Sequence, residues 1–265
     1  MGFFASSGIL NRRGFFGGTT AAPFSPADIS GLQLWLDATT GLFDATSGGS
    51  AVTTDGSAVA RWEDQSGNGR HFKQSTNNNR PVLKTSVQNS KNIIRFDADN
   101  DFIEMDSAFS GLTSASYYVV LKISIDPPTD NAKTGHPIRF LYGTDSGFAA
   151  SHYAWSDGFI YDNTMTTSRR TAGNPTPSLT NFHLYNVDAS GSAWTNRLNK
   201  TQLTTFASNT FSQNRKEIGR SVWVDGNVYY YFNGDLAEIV VYDNVLSSTD
   251  RGRVEDYLYS KWAIT

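Results

Sequence analysis

Apolar and polar residues alternate along several short stretches of this chain, a pattern typical of β-strands that bury one face. Leu32, Leu34 and Leu36 fall on the same side of the segment 32–37. A longer β-branched and aromatic stretch covers 116–125 and stops at two prolines. Further predicted strands cover 59–62, 92–96, 102–105, 138–142, 149–155, 159–162, 182–188, 193–198, 217–224, 228–232 and 236–242. Clusters of Gly, Asn, Asp and Ser between them indicate turns.

The C-terminal segment has the other periodicity, that of an amphipathic helix. Ser247 is a suitable N-cap, and Asp250 follows three residues later. The apolar stripe that follows consists of Val254, Tyr257, Leu258 and Trp262. We therefore predict one short C-terminal helix.

A dozen strands and one helix, without a repeat of 20–50 residues, predict an all-β fold in one domain. The expected architecture is a sandwich of antiparallel sheets spanning residues 25–265. Residues 1–24 are expected to form an extended N-terminal arm outside this domain.

Composition narrows the classes of partner. The 265-residue chain carries a formal charge of −3 and no cysteine. It lacks the Lys/Arg clusters that nucleic acid or an anionic membrane would require, so neither partner is predicted. Disulfides and thiolate metal sites are excluded, which favours assembly in a reducing cytoplasm. Neither a transmembrane stretch nor a signal-peptide pattern is predicted.

Several sequence blocks resemble one known family. They are 29–38 (ISGLQLWLDA), 62–69 (WEDQSGNG), 80–81 (RP), 94–97 (IRFD), 232–243 (FNGDLAEIVVYD) and 257–262 (YLYSKW). In this order they resemble concanavalin A-like lectin/glucanase domains of the laminin-G-like group. The resemblance implies a jelly roll of two curved antiparallel sheets, and it places Trp35, Trp62 and Trp262 in the core. The region 125–215 matches only in general character.

The arm contains the sequence Gly-Phe-Phe twice, at 2–4 and 14–16. Glycine-rich backbone with few apolar side chains does not collapse by itself, so we expect the arm to dock onto another protein. The alternative is an arm folded back on its own domain. The predicted docking residues are Phe3, Phe4, Ile9, Leu10, Arg12, Arg13, Phe15 and Phe16.

Catalytic chemistry is not predicted. Glycosidases with this fold carry two glutamates around an aspartate on one strand, whereas Glu104-Met105-Asp106 is followed by Ala108 and Phe109. The four histidines are scattered, and no G-x-S-x-G motif is present. We therefore expect a protein that is not an enzyme.

An acidic stretch is a candidate for calcium. Asp97, Asp99 and Asp101 alternate as the start of a calcium loop does, but Phe102 stands where an EF-hand needs glycine. The alternatives are a looser calcium site and an ordinary hairpin turn. No other cofactor is predicted.

Aromatic residues near polar loops are candidates for glycan binding, because sugar sites combine flat aromatic faces with polar groups. The candidates are Trp155, Trp194, Trp223, Tyr229 and Tyr231. Alternation places Tyr229 and Tyr231 on one side of their strand, and Tyr230 and Phe232 on the other.

Glu238 lies among apolar residues and needs a partner if it is buried. Arg95 and Arg61 are the expected partners, in a structural role.

The arm followed directly by this domain resembles structural proteins of tailed bacteriophages. That resemblance implies a virion protein assembled in the bacterial cytoplasm, with other virion proteins and a host-surface glycan as partners. We expect a symmetric homo-oligomer, specifically a trimer. The alternative hypothesis is a bacterial carbohydrate-binding or adhesin module, and the third hypothesis is a glycoside hydrolase.

Overall fold

The computed structural model describes residues 1–2, 23–125, 136–138, 141, 151–222 and 229–265. The eight predicted docking residues of the arm (Phe3, Phe4, Ile9, Leu10, Arg12, Arg13, Phe15 and Phe16) lie outside these residues, as do Trp223 and most of the predicted strand 138–142. Docking through the arm therefore stays a prediction.

Seventeen strands and one α-helix are found in the described part of the chain. The strands are β1 (Leu32–Asp37), β2 (Leu42–Phe43), β3 (Arg61–Trp62), β4 (Phe72–Lys73), β5 (Val82–Gln88), β6 (Lys91–Asp97), β7 (Ile103–Glu104), β8 (Ser114–Ile123), β9 (Ile160–Asp162), β10 (Arg170–Gly173), β11 (His183–Ser190), β12 (Trp194–Leu198), β13 (Thr201–Phe206), β14 (Glu217–Ile218), β15 (Arg220–Val222), β16 (Tyr229–Tyr231) and β17 (Asn233–Tyr242). The helix is α1 (Ser248–Trp262), and short 3-10 turns occupy Pro26–Asp28 and Asn77–Asn79.

Two sheets build the sandwich. The larger has eight strands in the order β13-β12-β11-β8-β17-β6-β5, with β1 also paired to β17. The smaller has five strands in the order β14-β7-β4-β3-β2, and two further two-stranded ribbons are β9/β10 and β15/β16. All of these pairs are antiparallel. The predicted all-β antiparallel sandwich with a C-terminal helix is confirmed.

Alternation along β8 shows how the layers pack. Tyr117, Val119 and Leu121 point into the core between the two sheets, whereas Tyr118 and Val120 point to the other face of the larger sheet. That second face is covered by α1. A strand buried on both faces needs apolar residues at nearly every position, which explains the unbroken apolar run.

The helix begins and ends as the sequence indicates. The Ser247 hydroxyl accepts a hydrogen bond from the Asp250 backbone N–H, and Ala263 ends the helix in the left-handed region. Val254, Leu258 and Trp262 are buried against the larger sheet. No described helix is long and apolar enough to cross a membrane.

One predicted strand is divided in two. The segment 217–224 breaks at Gly219, which has φ +96° and lies so close to Phe96 that a Cβ would approach that ring to 2.5 Å. Only glycine suits both conditions. The chain therefore leaves the five-stranded sheet after β14 and starts the β15/β16 ribbon.

Candidate functional site

Residues 151–162 form an aromatic hairpin. His152 and Tyr161 exchange two backbone hydrogen bonds of 2.9 and 3.0 Å, and the Trp155 N–H donates to the Phe159 carbonyl at 2.9 Å. Gly158 has φ +82° and its N–H donates to the Trp155 carbonyl. The Asp-Gly pair thus provides the turn that brings the two arms of the hairpin together.

Several aromatic side chains gather on and beside this hairpin. The indole of Trp155 lies 3.9 Å from the His152 ring, and Tyr230 of β16 meets Trp155 edge-on at 5.9 Å. Phe159 is 37% exposed, one of the few large apolar side chains with such exposure in the described chain, and its ring lies 6.2 Å from Tyr161. The exposed Phe159 ring and the half-buried aromatic rings beside it form a surface on which a flat apolar ligand face can lie.

Charged groups border the same rings. Asp157 accepts hydrogen bonds from the Phe159 N–H at 2.9 Å and from the Tyr161 hydroxyl at 2.7 Å. This bond to a carboxylate, with partial burial, raises the pKa of Tyr161. The Arg169 guanidinium lies 4.6 Å from the centroid of the Tyr161 ring. A carboxylate and a guanidinium thus flank the exposed Phe159 ring and the half-buried Tyr161 ring.

A buried network supports the hairpin from below. Asp162, the last residue of β9, is fully buried and accepts hydrogen bonds from the Thr164 hydroxyl at 2.5 Å and the Tyr185 hydroxyl at 2.7 Å. His136 Nε2 lies 3.5 Å away. Burial opposes ionisation of Asp162, but His136 and the hydroxyl hydrogen bonds outweigh it, so the pKa of Asp162 is lowered. The network ties the hairpin to β11 of the larger sheet.

The structure corrects part of the predicted glycan site. Trp194 is 0% exposed, and its indole N–H donates to the Thr164 carbonyl at 2.8 Å, so it belongs to the core. Tyr231 is half-buried on β16, while the side chain of Tyr229 lies outside the described residues. Tyr230 packs against Trp155. Alternation places Tyr230 on the same side of its strand as the buried Phe232, and the hairpin covers that side of the ribbon.

Sequence reasoning did not identify Phe159, Tyr161, Asp157 or Arg169 as site residues. A signal was present, because Phe159 and Tyr161 alternate directly after an Asp-Gly turn that follows Trp155. Alternation places two aromatics on one face of such a strand. Their exposure, however, depends on which face the sandwich leaves uncovered.

The acidic residues of the rejected glycosidase motif are engaged in ion pairs. Glu104 lies 3.2 Å from Lys216 Nζ, and Asp106 lies 2.6 Å from Lys73 Nζ. These contacts fit the interpretation of surface carboxylates at a strand end.

The carboxylates of Asp97 and Asp101, two of the three calcium candidates, accept hydrogen bonds from the backbone of their own turn, and calcium binding there stays a prediction. The Asp97 carboxylate accepts hydrogen bonds from the backbone of Asp99 and Asn100, as in an ordinary turn. Asp101 is buried and accepts from the Asp97 N–H. Burial and the neighbouring Asp97 carboxylate raise the pKa of Asp101 to about 7. Three metal-ligating side chains are nowhere grouped in the part of the chain that the structure describes.

Glu238 is fully buried, as its apolar neighbours suggest, but its partners are not Arg95 or Arg61. The carboxylate accepts hydrogen bonds from the indoles of Trp35 and Trp262, both at 2.7 Å, and lies 2.7 Å from Lys261 Nζ. Arg95 binds Asp235, which is opposite it in the paired strands, and Arg61 binds Glu63. The predicted core tryptophans Trp62 and Trp262 are fully buried, and Trp35 is half-buried.

No protein-family model and no curated protein matches this sequence. Solved structures do resemble it. The binding domain of a paraclostridial mosquitocidal protein is 10% identical, with a TM-score of 0.57 over 89% of this chain and 53% of that one. An arabinofuranosidase complexed with arabinofuranosyl-α-1,2-xylobiose is 17% identical, with a TM-score of 0.54 over 77% of this chain and 51% of that one.

A sialidase of Trypanosoma rangeli, in complex with sialic acid, is 10% identical with a TM-score of 0.53. The matched region comprises 88% of this chain and 33% of the sialidase chain. This chain thus spans about half or less of these three proteins. At such identities the likeness shows the fold, a β-sandwich that these structures share, and leaves activity undecided.

Proposed function

We propose that this chain is a carbohydrate-binding module that holds a glycan on the aromatic hairpin. The observation that carries the proposal is the exposed Phe159 ring beside the half-buried Tyr161 ring, flanked by Asp157 and Arg169. Sugars present apolar C–H faces that pack on aromatic rings, and their hydroxyls hydrogen-bond to charged groups at the edge.

The geometry favours binding a ligand over transforming it. The Asp157 carboxylate is held by the Phe159 N–H and the Tyr161 hydroxyl. The buried Asp162 is enclosed by Thr164 and Tyr185, beneath the surface on which a ligand would lie. Two carboxylates facing one sugar, as glycoside hydrolysis needs, are not placed on the described hairpin surface. The proposed module therefore binds its glycan without turnover.

The experiment is a glycan array with the full chain, followed by calorimetry on the best ligand with three variants. Phe159→Ala should weaken binding about tenfold, which corresponds to the loss of one stacking contact. Tyr161→Phe keeps the ring and loses the bond to Asp157, so its effect should be smaller. Val245→Ala, which truncates another exposed apolar side chain outside the hairpin, is the matched control. Wild-type affinity in Phe159→Ala would remove the hairpin as the site.

Display of this module on a tailed-phage virion is a separate proposal about where binding takes place. It rests on the Gly-Phe-Phe arm and on the resemblance of the arm and domain together. The arm can be shortened without removing a contact of the described domain, because Phe24 is the residue that packs on Tyr257 at 5.8 Å and under Arg253 at 4.8 Å, and it lies outside the segment 2–18. Deleting residues 2–18 should therefore leave folding and glycan binding intact while preventing incorporation into particles. Normal incorporation would contradict the virion role and leave the glycan proposal standing.

A further inference from the structure

A row of charged side chains crosses the outer face of the five-stranded sheet. The paired charged residues are Arg61 with Lys73, Lys73 with Glu104, and Glu104 with Glu217. Residues directly opposite each other in antiparallel strands point to the same face. The alternate residues of these strands, such as Trp62, Phe72 and Ile103, are buried in the core, so the charged row faces outward.

A groove of about 640 Å³ opens over the middle of this charged row. It is lined by both members of two ion pairs, Lys73 with Asp106 and Lys216 with Glu104. Small hydroxyl side chains form its rim, namely Thr46, Ser47, Ser75 and Thr76. The volume lies in the range of small-molecule sites.

The floor of the groove is held in place by side chains that bond to the backbone. The Gln74 amide donates to the Phe102 carbonyl at 2.9 Å, and its oxygen accepts from the Thr76 N–H at 2.9 Å. The Phe102 ring carries the Arg220 guanidinium 3.5 Å from its centroid. A ligand would therefore meet polar groups whose positions are already fixed, which lowers the entropy cost of binding.

The charge balance of the groove selects the class of ligand. Each lysine that lines it lies next to a carboxylate, so the two lysines and the two carboxylates leave no net charge that would attract an ionic ligand. A neutral polyhydroxylated ligand suits such a groove, because each hydroxyl can donate to a carboxylate and accept from an ammonium group at the same time.

We propose that this groove is a second binding site, specific for a neutral oligosaccharide. The site is separate from the aromatic hairpin and does not depend on it. It relies on hydrogen bonds from paired charges and hydroxyls, whereas the hairpin relies on stacking.

The test uses the full chain with cellohexaose, xylohexaose and maltohexaose as probes, each at up to about 10 mM, the range of weak sites. Binding is followed by NMR at the Gln74 side-chain amide, which reports the groove. We expect at least one neutral probe to shift this signal. The affinity of that probe should change by no more than about twofold between low and high salt, because its binding neutralises no net charge. Absence of a shift with all three probes would overturn the proposal.

Two variants locate the site. Glu104→Gln and Ser75→Trp should each weaken the response at Gln74 at least about fivefold, the first by removing an acceptor and the second by filling the groove. Thermal unfolding checks that both variants fold, and Lys200→Ala on another surface is the control. Unchanged affinity in both variants, or tighter binding of an oligogalacturonate than of any neutral probe, would contradict the proposal. Loss of binding in Phe159→Ala reports the hairpin alone, so the two sites fail independently.

Discussion

The fully buried carboxylates of Glu238 and Asp162 lie against opposite faces of the larger sheet, and their surroundings differ. Glu238 lies on the face covered by the helix, where two indoles, the Tyr257 hydroxyl and Lys261 surround it. Asp162 lies on the face toward the core, where it binds two hydroxyls and faces His136.

The two sites shift their pKa values in opposite directions. Burial, together with the nearby Asp37 carboxylate, raises the pKa of Glu238 despite Lys261. For Asp162, His136 and the hydrogen bonds outweigh burial and lower the pKa. Burial alone therefore does not decide the charge of a carboxylate; the neighbouring charges also count, since the Asp37 carboxylate raises the pKa of Glu238 whereas His136 lowers that of Asp162.

Glu238 and Asp162 also connect different parts of the protein. Glu238 connects β1, β17 and α1, because Trp35 is in β1 and Trp262 is in α1. A bulge in the β17–β8 pairing between Leu236 and Glu238 accompanies this placement. Asp162 connects the aromatic hairpin to β11. We therefore expect Glu238 to govern global stability and Asp162 to govern the proposed binding surface.

The largest effect is expected from Glu238→Ala. It leaves the two indole N–H groups and the Tyr257 hydroxyl without their acceptor and removes one of the two carboxylates that pair with Lys261, the other being Asp37, so the free energy of unfolding should fall by about 3–5 kcal/mol. Urea denaturation measures the loss. Glycan binding by the folded fraction should match wild type, and a fall of less than about 1 kcal/mol would show that Glu238 is not the central acceptor of this cluster.

A smaller and more local effect is expected from Asp162→Asn. The amide has one acceptor oxygen for groups that all donate, so the free energy of unfolding should fall by roughly 1–3 kcal/mol. Because the pKa of Asp162 is lowered in the folded state, the stabilisation that its ionised carboxylate provides is present above the usual Asp pKa. It is lost as the pH falls through the folded-state pKa. The difference from wild type should therefore shrink in acid. Faster hydrogen exchange at Tyr161 with little change in β1 would locate the damage in the hairpin.

Asp101 offers a third case, a buried carboxylate next to a like charge. Its pKa of about 7 is above the unfolded value, so its contribution to stability is present below about pH 4 and is lost as the pH rises through 7. Asp101→Asn should therefore stabilise the protein by roughly 1–2 kcal/mol at pH 8 and much less at pH 5. Melting curves at both values test this, and equal shifts at the two pH values would contradict it.

The smallest effect is expected from Lys200→Ala. Its ion pair with Asp256 is as short as those inside the protein, at 2.6 Å, but the Asp256 side chain is 76% exposed. Solvent screens such a pair, so the free energy of unfolding should change by less than about 0.5 kcal/mol. A loss comparable with that of Glu238→Ala would mean that distance, and not burial, controls these contributions.

Several elements followed from the sequence because their signals are local. The predicted strand 32–37 coincides with β1, and the Ser247 cap and apolar stripe of α1 are as predicted. Two-residue strands such as β2 and β4 were not predicted, since so few positions show no period. The partly exposed edge strand β13 was missed as well.

The candidate site was predicted only in part, because its residues meet through the fold. Trp155 was identified, but Tyr230 joins it from a ribbon distant in sequence. Trp194 was misplaced although Trp194, Asn196 and Leu198 alternate, because polar neighbours made it resemble a surface residue. Arg95 was assigned to Glu238, yet the register of β6 with β17 places it opposite Asp235.

The sequence by itself determined the all-β class, the principal strands, the capped helix and the need of Glu238 for a partner. The tertiary structure alone decided which side of each strand is covered, which donors meet each buried carboxylate, and which aromatics remain at the surface. The physical reason is that alternation fixes which residues share a face, whereas burial of that face depends on the sheet, helix or hairpin that packs against it.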